Sequence, residues 1–114
     1  MHELSIAQSI IQIVEKSLPP DFTKKISLVH LSIGILSGIE TDALIFAFSV
    51  IRKGTPLSNS ELEIEIIKGI ARCKNCNTEF NLNSYGNPCP GCGSYSMNIF
   101  QGKEMKVTNI VVDD

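Results

Sequence analysis

The first apolar pattern along the chain has a period near that of a helix. Leu4, Ala7, Ile11, Val14 and Leu18 recur at helical spacing, Ile6, Ile10 and Ile13 widen the stripe, and Gln8, Gln12, Glu15 and Lys16 occupy the other side. This predicts an amphipathic helix that begins within a few residues of Met1 and stops at Pro19-Pro20, where the ring removes a donor and clashes with the preceding turn. The period then changes to two. In KKISLVHLSIG, Ser27, Val29, Leu31 and Ile33 alternate with Ile26, Leu28, His30 and Ser32, and β-branched residues are frequent, so a strand buried on much of both faces is expected. Gly34 and Gly38 bracket a turn. Helical spacing returns in ETDALIFAFSVIRK through Leu44, Ala47, Phe48 and Ile51. Thr41 is the expected N-cap, with Glu40 and Asp42 near the positive helix end and the solvated pair Arg52-Lys53 near the negative one. Gly54 and Pro56 close that helix.

ELEIEIIK alternates strictly, which predicts a half-buried strand with Leu62, Ile64 and Ile66 inward and Glu61, Glu63 and Glu65 facing water. Apolar density falls from Arg72 to about Asn98, where Asn, Gly, Pro and Cys dominate, and strand character resumes in EMKVTNIVV. The order is helix, strand, helix, strand, cysteine-rich stretch, strand. The last strand needs a sheet, and the only one available precedes the cysteines. The expected architecture is an α+β domain whose two final strands are separated by an inserted metal module.

Composition narrows the class. At 114 residues the chain is expected to form one compact unit, or one unit with a small appended module. A net charge of −2 and the lack of any Lys/Arg block give no reason to expect nucleic acid as a partner. His2 and Glu3 stand where a secretory signal would carry Lys or Arg. The longest uncharged run, Ile26–Ile39, is broken by Ser, Gly and His and is shorter than the roughly 18 apolar residues of a membrane span. A soluble, cytoplasmic protein with no membrane partner is therefore expected. In that compartment thiols stay reduced, and clustered cysteines usually bind metal.

All four cysteines lie in CKNCNTEFNLNSYGNPCPGCG, spaced C-x2-C-x12-C-x2-C. Two residues between thiols make a tight knuckle, and two facing knuckles offer four sulfurs to one tetrahedral ion. Pro90, Gly91 and Gly93 suit the second turn, where backbone N–H groups approach the thiolates. Three readings compete: a structural zinc ribbon at Cys73, Cys76, Cys89 and Cys92, a redox iron site of rubredoxin type, and two disulfides. The compartment favours metal. Four thiolates leave no coordination position for water, so hydrolytic zinc chemistry is not expected. With no Ser/His/Asp set, phosphate loop or Cys–His nucleophile either, the chain does not read as an enzyme. Few large apolar residues lie between Arg72 and Gln101, so metal binding must replace the missing core.

The opening residues offer a second donor set. The free amine of Met1, the Met1–His2 peptide nitrogen and the His2 imidazole can close fused five- and six-membered chelate rings on one ion, and the Glu3 backbone nitrogen can add a fourth donor. Four nitrogens in a plane favour Cu(II) or Ni(II) over Zn(II). Taken alone, a histidine in second position is nearly always a chain start with no metal role.

MHELSIA at the start, G-x-L-S-G-x-E at Gly34–Glu40, the paired C-x2-C knuckles and GKEMKVTNI near the end together resemble the HypA/HybF hydrogenase maturation family, in order and over essentially the whole chain. The resemblance implies a nickel metallochaperone for [NiFe]-hydrogenase assembly. It implies two helices on a three-stranded antiparallel sheet forming a nickel-binding domain, residues 1–68 plus 102–114, with a zinc-binding domain inserted at 69–101. Nickel as cargo would sit at Met1 (amine), His2 (side chain and backbone) and the Glu3 backbone, with Glu40 near that end. Structural zinc would sit at Cys73, Cys76, Cys89 and Cys92. No histidine flanks these cysteines, so sensing through neighbouring imidazoles is not expected. The implied partners are a HypB-type nickel-binding GTPase and the hydrogenase large subunit. His30 takes no ligand role from the resemblance and reads as a strand histidine. The rival function is a zinc-ribbon adaptor for a protein complex or nucleic acid. It has only Arg72, Lys74, Phe80, Tyr85 and Tyr95 to work with.

Overall fold

A computed structural model of the chain describes residues 3–113. Helix α1 spans Glu3–Ser17, strand β1 Lys25–Gly34, helix α2 Thr41–Ile51 and strand β2 Glu61–Ile67. Three short strands follow, β3 Ile70–Cys73, β4 Glu79–Asn81 and β5 Met97–Gln101, and then the long β6, Met105–Asp113. The chain divides into two compact units. One takes the residues up to Leu31, Ile39–Glu65 and those from Lys106 onward; the other takes Ser32–Gly38 and Ile66–Met105.

In the first unit the apolar stripe of α1 does what its spacing predicts. Ala7, Ile10, Ile11 and Val14 are buried, while Leu4 and Ile13 at the margins stay exposed. Helix α2 contributes Leu44 and Phe48, and the loop after it contributes Leu57. Within this unit strand β1 buries Ile26, Val29 and Leu31, a set that changes parity between Ile26 and Val29. Two details differ from the sequence expectation. The N-cap of α2 is Glu40, not Thr41, and it makes no side-chain cap bond. Arg52 is not simply solvated: its guanidinium donates to the Ser60 carbonyl, and the fully buried Ser60 hydroxyl donates to the Ile26 carbonyl. These bonds satisfy polar groups at the start of β2 that water cannot reach.

The larger sheet has the order β2-β1-β6. Bonds from the Ser27 hydroxyl to the Val111 carbonyl, from the Thr108 hydroxyl to the His30 carbonyl and from the Gly34 N–H to the Glu104 carbonyl run in opposite senses along β1 and β6, so this pair is antiparallel. Contacts between β1 and β2 advance together instead, Ile26 with Ser60, His30 with Glu63 and Ile35 with Ile67, so these strands run parallel. The sheet is therefore mixed, because α2 carries the chain back between β1 and β2 as a crossover. The α+β class, with two helices and a three-stranded sheet, holds. On β2 the alternation persists through Glu65 and then fails, since Ile66 is 51% exposed.

The second unit contains a smaller sheet of order β4-β3-β5, with β3 antiparallel to both neighbours. Its apolar cluster is small: Leu36, Ala71 and Leu82, with Phe80, Met97 and Ile99 packed against it. Three glycines let the backbone cross at close range. A Cβ on Gly34 would lie 2.0 Å from the Gly102 carbonyl oxygen, and one on Gly69 1.9 Å from that of Leu82. Gly102 itself, at φ +116°, lies in a region that L side chains avoid.

Candidate metal centres

The four cysteines meet in the second unit. Cys73 ends β3 and is buried, Cys76 lies in the turn toward β4 and is exposed, and Cys89 (buried) and Cys92 (exposed) lie in the loop before β5. Their four sulfurs all lie within 4.8 Å of one another. Each knuckle contributes one sulfur to two close pairs, Cys73–Cys92 and Cys76–Cys89, both at 3.6 Å. A tetrahedron with Zn–S bonds of about 2.3 Å has edges of about 3.8 Å. The spacing thus fits one tetrahedral ion, and the thiols are free and unpaired as disulfides.

The two knuckles are built alike, residue for residue. In the first, the Asn75 N–H approaches Cys73 Sγ at 3.4 Å, the Asn77 N–H donates to the Cys73 carbonyl, and the Cys73 N–H donates to the Thr78 carbonyl. In the second, the Gly91 N–H approaches Cys89 Sγ at 3.3 Å, the Gly93 N–H donates to the Cys89 carbonyl, and the Cys89 N–H donates to the Ser94 carbonyl. The residue after the second cysteine must adopt positive φ in both, Asn77 at +62° and Gly93 at +79°. Asn tolerates this conformation better than other side chains do, and Gly has no Cβ to clash. Gly91 lies against the sulfurs, since a Cβ there would be 3.6 Å from Cys89 Sγ and 3.7 Å from Cys76 Sγ.

Electrostatics separates the thiols. The Thr78 hydroxyl, 3.1 Å from Cys76 Sγ, and the Thr78 N–H together favour the thiolate and hold the Cys76 thiol down to about 6. Cys73 is also lowered, first by the Cys76 N–H and, against burial, by that of Asn75. For Cys92 the Ser94 N–H favours the thiolate, but the Cys73 thiol, burial and the remaining thiols outweigh it and push the group up to about 11. Thr78 is the residue that sequence reasoning missed. Its signal was present as a repeat: CKNCNT and CPGCGS each place a hydroxyl residue two positions after the second cysteine.

Met1 and His2, the other expected metal residues, lie outside the described residues. Glu3 is the first residue of α1, and one oxygen of its carboxylate accepts from the Glu40 N–H at 3.2 Å. An acidic group thereby lies at the positive end of α2, where it is electrostatically favoured. The bond also brings Glu40, the acidic residue expected near the nickel end, beside the start of α1. His30 sits on β1 with Nδ1 3.4 Å from a carboxylate oxygen of Glu63, so it is engaged with a neighbouring strand. Among the described residues only the four cysteines form a group able to hold a metal, and no helix is long and apolar enough to cross a membrane.

Comparison with known proteins agrees with this geometry. Residues 1–112 match the family model described as "HypA: Hydrogenase/urease nickel incorporation, metallochaperone, hypA". The chain is 39% identical over 113 residues to the hydrogenase maturation factor HypA of Geobacter metallireducens, covering 99% of this chain and 100% of that one. It is 40% identical over 112 residues to the HypA of Parabacteroides distasonis, covering 98% and 97%. The solution structure of the Ni metallochaperone HypA from Helicobacter pylori superposes with a TM-score of 0.70 at 28% identity, covering 98% of this chain and 97% of that one. A second solution structure, of a HypA protein, gives 0.68 at 30% identity, covering 98% and 96%. Four thiols arranged for a structural zinc ion and a match along nearly the whole sequence lead to one conclusion: the chain belongs to the HypA family of nickel metallochaperones for hydrogenase maturation.

Proposed function

We propose that this chain carries Ni(II) at its own N-terminus and delivers it during maturation of a [NiFe]-hydrogenase in the cytoplasm. The donors are the Met1 amine, the His2 backbone nitrogen and imidazole, and the Glu3 backbone nitrogen. Residues 1–68 plus 102–114 act as the nickel-binding domain and residues 69–101 as the zinc-binding domain. Cys73, Cys76, Cys89 and Cys92 hold the zinc. Bound there, zinc supplies a fixed cross-link and no reaction, because four sulfurs leave it no open position. The protein is a carrier and not a catalyst. Its partners are a HypB-type GTPase, which works with it in nickel handling, and the hydrogenase large subunit, which receives the metal.

The observation that carries this reading is the bond between the Glu3 carboxylate and the Glu40 N–H. Glu3 opens α1, in the turn whose N–H groups have no acceptor within the helix. Its side chain ties that turn to the start of α2, so the proposed donors continue directly from an anchored helix end. The test is Ni(II) titration of untagged protein beside His2→Ala, read by calorimetry and d–d absorption. One nickel with a planar low-spin spectrum in the parent, and none in the variant, supports the reading. Equal binding by both, or by neither, overturns it and favours a zinc-ribbon adaptor.

A further inference from the structure

Strand β2 is hydrogen-bonded on one side only, because it lies at the end of the β2-β1-β6 sheet. From Glu61 to Glu65 it contains no Pro or Lys, the residues that usually blunt an open edge. Its two faces differ sharply. Glu61, Glu63 and Glu65 are exposed on one, while Leu62 and Ile64 are half-buried on the other. His30 approaches Glu63, and Glu61 and Glu65 have no ion-pair partner among the described residues. On the α2 side an open notch of about 420 Å³ lies beside the edge, where Ile45, Phe48 and Leu62 supply apolar surface and Ser49, Arg52, Asn59, Ser60 and Glu61 complete a polar rim. Ile45 is 44% exposed, and its neighbour Phe46 is 70% exposed.

Charge decides what can pair there. A second copy of β2 would bring glutamates opposite glutamates on the same face, which is unfavourable. A strand with cations at every second position would instead place each of them against the glutamate row. Its intervening side chains would then point toward Leu62, Ile64 and the notch. We propose that the open edge of β2 docks an extended segment of a partner protein in which Lys or Arg alternates with apolar residues. Main-chain hydrogen bonds supply the attachment and the two faces supply the register. The proposal uses none of the N-terminal donors and stands whether or not nickel binds there.

The probe is an acetylated, amidated peptide of alternating Lys and Val, matched in length to β2, titrated into the zinc-loaded full chain labelled for NMR. The expected result is one saturable site, with shifts centred on Glu61–Glu65 and Ile45 and slowed exchange of β2 amides. The combined Glu61→Gln, Glu63→Gln and Glu65→Gln variant, which keeps side-chain shape, should bind about tenfold more weakly or worse. Two further peptides, N-methylated at alternate amides in the two possible phases, separate strand pairing from charge. One phase should abolish binding and the other should leave it intact. His2→Ala protein should bind the parent peptide unchanged. Equal binding of both N-methylated phases, shifts mapping to another surface, or no binding would each overturn the proposal.

Discussion

The two units of this chain are held together by different means. The first buries Ile10, Val14, Ile26, Val29, Leu44 and Phe48, large apolar side chains from both helices and a strand. In the second, the cluster of Leu36, Ala71 and Leu82 is too small to stabilise a fold of that length, and the chain instead gathers four cysteines, with the Asn75 and Gly91 N–H groups turned to the sulfurs of Cys73 and Cys89. A small core can be replaced by a metal, and the cost is dependence on that metal. Removing zinc therefore has the largest expected effect, because structural zinc contributes on the order of 10–16 kcal/mol in small modules. Chelation, or Cys73→Ser, should collapse the dispersion of NMR signals from Ile66–Met105 while those of α1 and α2 keep their positions. Uniform loss across both units would break the comparison.

The converse change belongs to the first unit. Phe48 is 2% exposed, and truncating a buried aromatic residue to Ala costs about 3–5 kcal/mol. Phe48→Ala should lower the denaturation midpoint of the helices, read by far-ultraviolet circular dichroism, with zinc content unchanged at one per chain. Loss of zinc in this variant would mean that the units are not separable in stability.

The same contrast explains what was legible in the sequence. Periodicity reports burial, so α1, α2, β1, β2 and β6 could be read from apolar spacing. The cysteine site was legible for another reason: its ligands are themselves the motif. The small sheet was not legible, since β3, β4 and β5 are only 4, 3 and 5 residues long and their order follows from the knuckles rather than from alternation. Nor was the parallel pairing of β1 with β2, which depends on where α2 returns the chain. Thr78 escaped notice because a threonine in a polar loop has no pattern until the two knuckles are aligned. At the other end, His2 and Met1 drew attention only through donor chemistry and family resemblance.

Thr78 gives the third prediction, a test of whether two knuckles alike in backbone geometry differ in chemistry. A thiol whose folded pKa is depressed stabilises the folded form above its ordinary value, 9.0 here, and loses that contribution as pH falls through the folded value. For Cys76 the window runs from 9 down to about 6. Cys92, pushed up to about 11, has the opposite sign and loses its contribution as pH rises from 9 through 11. Protons therefore compete less for Cys76 than for an ordinary thiol. Thr78→Val removes the hydroxyl that favours the thiolate. Acid release of zinc, followed with a metal-sensitive dye, should then have its midpoint at a higher pH than in the parent protein. A midpoint that does not move would show that the Thr78 hydroxyl has no hold on the bound sulfur.

The smallest expected effect compares the knuckles directly. Asn77 and Gly93 hold the same left-handed turn at φ +62° and +79°, but with different residues. Asn77→Gly should change stability by only a few tenths of a kcal/mol, since Asn already tolerates this region and Gly adds freedom to the unfolded chain. Gly93→Ala has open space around its Cβ, so its cost is backbone strain alone, roughly 1–2 kcal/mol. Competition with a chelator of known zinc affinity reads both on one scale. The alanine variant should yield its zinc to about tenfold less chelator and the glycine variant should match the parent. If Asn77→Gly weakened zinc as much as Gly93→Ala, the Asn77 side chain would be serving the metal site through something other than its backbone, and the equivalence of the two knuckles would fail at that residue.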